Sequence, residues 1–153
     1  MPVPFVEFNR RLRWADADAA GRLHFPRIFE IIEEAESDLM RGLGYPLDVR
    51  RHEYDFPRVH IGCQFRRVIK LDAPFRLRFT VGQLGRTSIR YDYQVFDAEN
   101  QMAIEGTMTV VVLENGKPTE IPPKLRAALS GETDLQSDRI LDSTGPKIQN
   151  RER

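Results

Sequence analysis

One long helical pattern constrains the fold of this chain more than any other feature of its sequence. From Ile28 onward, apolar side chains recur at spacings of three and four residues, which places them on one stripe of a helix. The members of this stripe are Ile28, Ile32, Ala35, Leu39 and Leu43. Gly42, Gly44 and Pro46 follow and predict the end of the helix. Such a helix must bury its stripe against another element.

The start of this helix has an unusual sequence. Pro26 suits the first helical position, but His24 and Phe25 before it are not the side chains that usually cap a helix. Free N–H groups at a helix start can stabilise an oxyanion or polarise a carbonyl. Asp18 lies a few residues upstream, in an acidic loop that ends at Gly21. The pattern fits a hydrolytic site, but taken alone it favours a turn shaped by aspartate with hydrated amides, because aspartate is common in turns.

Strand-like runs surround the helical pattern. One run precedes it, with one face expected to carry Val6, Phe8, Leu12 and Trp14, and four runs follow Pro57 with period-two alternation. The predicted strands cover residues 3–14, 59–66, 75–81, 89–95 and 102–112. Their short links, one of them at 82–86, imply antiparallel neighbours. The order predicts an α+β hotdog fold, with a five-stranded antiparallel sheet wrapped around one long central helix.

Length and composition limit the remaining possibilities. The 153 residues suit one domain, which we place at 1–130, and the polar stretch 131–153 has the composition of a disordered tail. The 23 basic and 23 acidic residues give no electrostatic reason to expect nucleic acid or an anionic membrane as a partner. The N-terminus lacks a signal-peptide pattern and no segment has membrane-spanning length, so we expect a cytoplasmic protein.

The cysteine and histidine content argues against disulfides and metals. Cys63 is the sole cysteine, so an intrachain disulfide is impossible, and its place in an alternating run predicts a buried, unreactive thiol. His24, His52 and His60 have no metal-ligand spacing. We therefore predict neither a metal nor a cofactor.

The acidic loop carries a family resemblance. The sequence from Asp16 through Asp18 to Gly21 resembles the Asp-x-Asp-x-x-Gly loop of 4-hydroxybenzoyl-CoA thioesterase-like hotdog enzymes. The similarity continues at residues 32–35, 85–88 and 120–123, and it covers residues 5–128 in all. It implies an acyl-CoA thioesterase that acts as a homodimer or homotetramer, with its sites at subunit interfaces.

The resemblance also assigns roles to individual residues. Asp18 matches the catalytic carboxylate, Gly21 the glycine of the tight turn, and Phe25 the residue whose N–H polarises the thioester carbonyl. Among the residues expected to bind the substrate, Arg86, Thr87 and Ser88 match a segment near the CoA moiety.

His24 is also expected to contact the substrate, at the start of the helix. Many relatives carry Tyr-His or Trp-Tyr where this chain has His24-Phe25, and an aromatic residue where it has Ile28. The role of the backbone amide survives such changes, whereas the acyl specificity is expected to differ.

Thioester hydrolysis needs only a polarising donor and one carboxylate. Asp18 could act as general base or as a nucleophile that forms an anhydride, and Asp16 is expected to shape the loop. Glu33 and Glu36 on the helix are reserve carboxylates. Two other functions stay open: a non-catalytic module that binds acyl-CoA or acyl carrier protein, and a hotdog hydratase or dehydratase that uses His60. The identity of the thiol carrier, CoA or acyl carrier protein, also stays open.

Overall fold

The chain folds in the predicted order of strand, long helix and antiparallel strands. The computed structural model describes residues 3–48, 50 and 52–132. The helices are α1 (Arg27–Gly42) and α2 (Pro123–Leu129). The strands are β1 (Phe5–Arg11), β2 (Tyr54–Asp55), β3 (Arg58–Phe65), β4 (Pro74–Leu84), β5 (Ser88–Phe96), β6 (Met102–Val111), β7 (Leu113–Glu114) and β8 (Lys117–Pro118).

The main sheet has five antiparallel strands in the order β1-β4-β5-β6-β3. Alternate residues of its central strands face α1 and are fully buried, among them Leu77, Phe79 and Tyr91. The Tyr91 hydroxyl donates to Met40 Sδ of α1 at 3.4 Å, which places the helix against this face. The predicted α+β class with a five-stranded antiparallel sheet is confirmed.

Helix α1 buries the predicted stripe and ends where the glycines indicated. Ile28, Ile32, Ala35 and Leu39 are at most 4% exposed, and the helix ends at Gly42. Gly44 adopts a φ of +85°, a left-handed conformation that glycine takes without steric cost. Its N–H donates to the Arg41 carbonyl at 3.1 Å, and the next N–H donates to the Met40 carbonyl at 2.9 Å. These two bonds form a Schellman motif.

Strand β1 is shorter than the sequence predicted. It ends at Arg11, and the chain then enters a single 3₁₀ turn, Trp14–Asp16. Trp14 is 83% exposed, so the prediction that it shares a face with Val6 and Phe8 is wrong. The physical reason is that the β1–β4 register ends just before Leu12, whose N–H donates to the Ala73 carbonyl at 3.0 Å, and the 3₁₀ turn that follows breaks the alternation of sides before Trp14.

Two further differences concern the strand ends. Strand β4 continues through Gly82 to Leu84 by means of a register shift between Val81 and Gln83, so the predicted turn at 82–86 begins later. The two-residue strands β2, β7 and β8 form a second, three-stranded sheet within the region read as loops. Strands this short carry no measurable periodicity, which is why the pattern missed them.

Strand β3 is confirmed, but its burial is not as predicted. Val59, Ile61 and Phe65 are 60%, 40% and 50% exposed, and Cys63 is only half-buried. The strand lies at the edge of the main sheet, whereas α1 packs mainly over β1 and β4 at the opposite side. The apolar residues of β3 therefore lack cover in a single chain.

The last described element of the chain, a short helix, was predicted from the sequence. Helix α2 spans Pro123–Leu129, as the Pro122-Pro123 pair indicated. The predicted disordered tail at 131–153 falls almost wholly on residues 133–153, which lie outside the described residues, and it stays a prediction. In the described part of the chain, neither helix has the length and apolar character needed to cross a membrane.

Candidate active site

The acidic loop forms a narrow two-armed ribbon before α1, which we define as residues 16–24. The Asp18 N–H donates to the Arg22 carbonyl at 2.8 Å, and the His24 N–H donates to the Asp16 carbonyl at 2.8 Å. Gly21 has a φ of +74° at the tip, where its N–H donates to the Asp18 carbonyl at 3.0 Å. The predicted tight turn at Gly21 is thus present, because a left-handed residue closes the ribbon.

A second segment fixes the ribbon to the sheet. Residues 66–73, which connect β3 to β4 and which we call the strap, run alongside the second arm. The Leu23 N–H donates to the Ile69 carbonyl at 2.8 Å, and the Leu71 N–H donates to the Gly21 carbonyl at 2.9 Å. Since β4 begins directly after the strap, the ribbon lies at the Pro74 end of the main sheet.

The Asp18 carboxylate shapes the turn and keeps one oxygen accessible. Its Oδ1 accepts the Ala20 N–H at 2.9 Å and the Arg22 N–H at 3.3 Å. Its Oδ2 lies 3.7 Å from Arg22 Nε, and no hydrogen bond within residues 3–48, 50 and 52–132 reaches it. The side chain is 30% exposed. The turn role and an open carboxylate oxygen therefore coexist in one residue.

Asp16 has the structural role that the sequence suggested. It is 6% exposed, and its Oδ2 accepts a hydrogen bond from Arg13 Nε at 2.8 Å. This hydrogen bond and the charge of Asp16 raise the pKa of the Arg13 guanidinium. Because the Asp16 carboxylate is bound and covered, it is not available to a substrate.

The start of α1 has fewer free amides than the sequence suggested. Pro26 takes the N-cap position rather than the first helical one. The N–H groups of residues 27–29 donate to carbonyls three residues earlier, at 2.8, 3.3 and 3.2 Å, as in a 3₁₀ turn. The Phe25 N–H finds no acceptor among the residues that the structure describes. Its side chain is 60% exposed and its ring centroid lies 6.0 Å from that of His24.

The predicted CoA-binding residues lie elsewhere in the same chain. Arg86 and Thr87 belong to the turn between β4 and β5, and Ser88 is the first residue of β5. Arg86 Nη1 lies 3.5 Å from Glu120 Oε1. Strand β4 has 11 residues and separates this turn from the strap. At about 3.3 Å per residue, the two ends are on the order of 35 Å apart. A single chain does not bring these residues to Asp18 and Phe25.

Sequence reasoning missed the burial of one carboxylate, Glu36. This residue is 0% exposed, and its Oε2 lies 2.5 Å from Arg58 Nη2 of β3, while its Oε1 has no hydrogen-bond partner among the described residues. Burial raises the pKa of the Glu36 carboxyl to about 7, against the opposing effect of Arg58. The sequence did contain an indication of this burial. Glu36 lies four residues from both Ile32 and Met40, so it is on the same side of the helix as these two buried residues.

The two reserve carboxylates of α1 lie well away from the ribbon. Glu36 stands 11 residues after Phe25, which corresponds to about 16 Å along a helix. Glu33 is 66% exposed at the side chain and lies 4.0 Å from Arg58. Within one chain, neither residue belongs to the segment that carries Asp18 and Phe25.

The arrangement of ribbon, helix and sheet can now be compared with known proteins. A family model described as Thioesterase-like superfamily matches residues 12–129, which include the ribbon, α1 and strands β3 to β6. This chain belongs to the Thioesterase-like superfamily. The resemblance drawn from the acidic loop is confirmed, and so is the predicted enzyme class, thioester hydrolase.

Individual proteins are similar to this chain in sequence or in fold. The chain is 27% identical over 127 residues to a 1,4-dihydroxy-2-naphthoyl-CoA hydrolase from Crocosphaera subtropica, covering 82% of this chain and 88% of that protein. A solved 1,4-dihydroxy-2-naphthoyl-CoA thioesterase from Synechocystis matches with a TM-score of 0.75 and 19% identity, over 82% of this chain and 96% of its own. A solved structure of a protein from Aquifex aeolicus matches with a TM-score of 0.74 and 23% identity, over 80% of this chain and 98% of its own. These structures share the hotdog fold predicted here.

Proposed function

We propose that this protein hydrolyses an acyl thioester of CoA or of acyl carrier protein, with Asp18 and the Phe25 amide as its reacting groups. The observation that carries the proposal is the pair of unused groups on one short segment. Asp18 keeps Oδ2 free of hydrogen bonds in the described residues, and the Phe25 N–H has no acceptor there. The Asp18 carboxylate can activate the attack on the thioester carbonyl. The Phe25 N–H can stabilise the negative charge that develops on the carbonyl oxygen.

In the general-base route, Asp18 takes a proton from water as the water oxygen attacks the thioester carbon. The carbonyl oxygen becomes an oxyanion, which the Phe25 N–H and the N-terminal end of α1 stabilise. The carbon–sulfur bond then breaks, the carbonyl re-forms, and the thiolate recovers the proton from Asp18. The products are a free acid and a free thiol.

In the nucleophilic route, Asp18 Oδ2 attacks the carbonyl carbon directly and the thiolate leaves. The resulting mixed anhydride is hydrolysed by water, which restores the carboxylate. Hydrolysis in ¹⁸O-labelled water under single-turnover conditions establishes the nucleophilic route if the label enters Asp18. The nucleophilic route, with water attacking the aspartyl carbonyl, places the label in Asp18, whereas the general-base route places it only in the released acid.

The activity assay is thiol release from a panel of acyl-, aryl- and long-chain CoA thioesters. Asp18→Asn should lower kcat by about 10²- to 10⁴-fold, the usual loss on removing general-base assistance. The asparagine oxygen can still accept the Ala20 N–H, so the melting temperature should stay close to that of the native chain. Asp18→Ala should lose the turn hydrogen bonds as well, at a cost of about 1 kcal/mol.

Asp72→Asn is the matched control for the activity assay. Asp72 is exposed on the neighbouring strap with a φ of 63°, a conformation that asparagine tolerates. Its kcat should equal that of the native protein. If Asp18→Asn retains full turnover on the best substrate, Asp18 is not the reacting carboxylate. If the native chain hydrolyses no CoA thioester in the panel, CoA is not the carrier of its substrate.

We further propose that a second copy of the chain completes the site by antiparallel pairing at β3. The strand is an open edge with exposed Val59, Ile61 and Phe65, a surface that favours association with another strand. A two-fold axis at β3 makes each strand of the partner run opposite to the same strand of this chain. It would therefore carry the partner's Arg86 turn to the end of the sheet where Asp18 lies.

Subunit complementation tests this assembly. Asp18→Asn and Arg86→Glu chains with different tags are co-expressed, and the mixed dimer is purified through both tags. Each mixed dimer would hold one site with both native parts, so it should recover about half of the native turnover while both parent variants stay impaired. A mixed dimer no more active than its parents, or a monomer at micromolar concentration in sedimentation, contradicts the proposal.

The hydratase alternative gains no support from His60. This residue pairs with Thr109 in the β3–β6 ladder, whereas the following pair, Ile61 and Met108, belongs to the face that carries buried Met108. His60 therefore lies on the face of the sheet turned away from α1, on the other side from the buried core.

A further inference from the structure

The two arms of the ribbon and the strap are three neighbouring extended segments of this chain. Together they form a patch with a row of charged residues. Asp18 stands opposite Arg22 across the ribbon, next to the bridge between Ala17 and Leu23. Arg22 forms a second antiparallel bridge, with Lys70 of the strap. Residues directly opposite each other in such pairs project to the same side. Asp18, Arg22 and Lys70 therefore form one row, in the order carboxylate, guanidinium and ammonium.

This row faces solvent because the neighbouring row faces the core. Ala17 and Leu23 pack against the buried cluster, and Ile69 is 3% exposed within it. Side chains one position along an extended chain project to the opposite side. In agreement, the side chain of Arg22 is 54% exposed, and Lys70 is exposed.

Neither cation of this row has a hydrogen-bonded carboxylate in the described residues. Arg22 forms an ion pair with Asp18, with 3.7 Å between Nε and Oδ2, and Lys70 has no ion pair with any residue that the structure describes. The nearby carboxylates of Asp97 and Glu99 are already bound to Arg67, at 2.6 and 2.9 Å. Like charges placed opposite each other destabilise a strand pair. An anion between Arg22 and Lys70 would relieve that repulsion.

We propose that Arg22 and Lys70 bind a carboxylate at the far end of the acyl group, so that the substrate is the monothioester of a dicarboxylic acid. This inference rests on the proposed role of Asp18. Paired extended segments lie about 4.8 Å apart. A point midway between Arg22 and Lys70 is therefore about one and a half spacings, or about 7 Å, from Asp18. That distance fits an acyl chain of about five carbons with its thioester carbon beside Asp18.

The carrier phosphates do not explain this cation pair. The long pantetheine arm separates the phosphates of CoA from the sulfur, so they cannot reach residues adjacent to Asp18 while the thioester reacts there. The same holds for the phosphate that links the arm to an acyl carrier protein. The anion that Arg22 and Lys70 would meet belongs to the acyl side of the substrate.

The test compares glutaryl-CoA with valeryl-CoA, which has the same number of acyl carbons and no terminal carboxylate. The native protein should prefer glutaryl-CoA in kcat/KM by about three- to tenfold, as expected for partly exposed charge pairs. Lys70→Gln should lower the ratio of the two kcat/KM values by a similar factor. The ratio is the readout because general damage to the enzyme cancels in it. Lys124→Gln, on the exposed side of α2, is the control and should keep the native ratio.

A second measurement separates this inference from the proposed function. Free glutarate and its uncharged diamide, glutaramide, are titrated into the native protein and into Lys70→Gln, with the backbone amides of Arg22 and Lys70 followed by NMR. Glutarate alone should shift the native signals, and Lys70→Gln should weaken that response. Hydrolysis without a preference for glutaryl-CoA, or an unchanged ratio in Lys70→Gln, overturns the anion site and leaves the hydrolase assignment intact. Glutarate binding without hydrolysis of any thioester supports the anion site and contradicts the proposed role of Asp18.

Discussion

Replacing Glu36 by glutamine should stabilise the fold above neutral pH and leave its stability unchanged in acid. The native carboxyl is fully buried, with one oxygen bound to Arg58 and the other without a hydrogen-bond partner among the described residues. Burial opposes its ionisation more than Arg58 favours it, so its pKa is raised to about 7. Glutamine resembles the protonated acid in shape and keeps an oxygen for Arg58, but it never ionises.

The sign and size of the effect follow from proton linkage. The folded chain keeps the Glu36 proton up to about pH 7, whereas the unfolded chain releases it near the ordinary pKa of 4.5. The stability contributed by this proton is thus fully present below the unfolded pKa and is lost as pH rises through the folded one. A change in pKa from 4.5 to about 7 corresponds to about 3 kcal/mol. We expect Glu36→Gln to recover about 1–3 kcal/mol at pH 8, since water can also solvate the partly exposed Arg58.

Urea unfolding of both proteins between about pH 4 and pH 8 measures this effect. The difference in the free energy of unfolding should be near zero at the acid end and should grow through the window from 4.5 to 7. Glu33→Gln is the matched control, because Glu33 lies on the same helix and near the same arginine but has an exposed side chain. Its effect should stay below about 1 kcal/mol at any pH. A Glu36→Gln protein that is less stable than the native chain at pH 8 would show that the ion pair with Arg58 outweighs its desolvation cost.

Two substitutions and one labelling experiment probe the core and the sheet edge. Phe79→Ala should lower the free energy of unfolding by about 3–5 kcal/mol in urea titrations, because Phe79 is fully buried and stacks on Tyr91 at 4.7 Å; a loss below about 1 kcal/mol would contradict this packing. Gly106→Ala should cost at least about 1–3 kcal/mol in thermal or urea unfolding, because its Cβ would collide with the Gly62 carbonyl of β3; unchanged stability would mean that β3 shifts freely. Cys63 should react with a thiol reagent more slowly than free cysteine at neutral pH, because burial raises its pKa; equal rates would refute this.

Local sequence patterns were sufficient for much of the fold. The spacing of Ile28, Ile32 and Ala35 predicted the buried side of α1, because one helical turn repeats after 3.6 residues. Alternation predicted four of the long strands, and short links predicted their antiparallel pairing. The Asp-x-Asp-x-x-Gly loop predicted the tight turn at Gly21, since such a turn requires its residue types at fixed positions. The choice of Asp18 as the candidate catalytic residue came from the family resemblance of this loop.

Other properties depended on contacts between segments far apart in the chain. The apolar side of β3 is exposed because the strand order places it at an edge, and that order is absent from the alternation of its own residues. Glu36 can be buried because the guanidinium of Arg58, 22 residues further along the chain, forms a hydrogen bond to its carboxylate. Arg22 and Lys70 become neighbours only when the strap pairs with the ribbon. Local periodicity reports which way a side chain points, whereas the tertiary structure decides what it meets there.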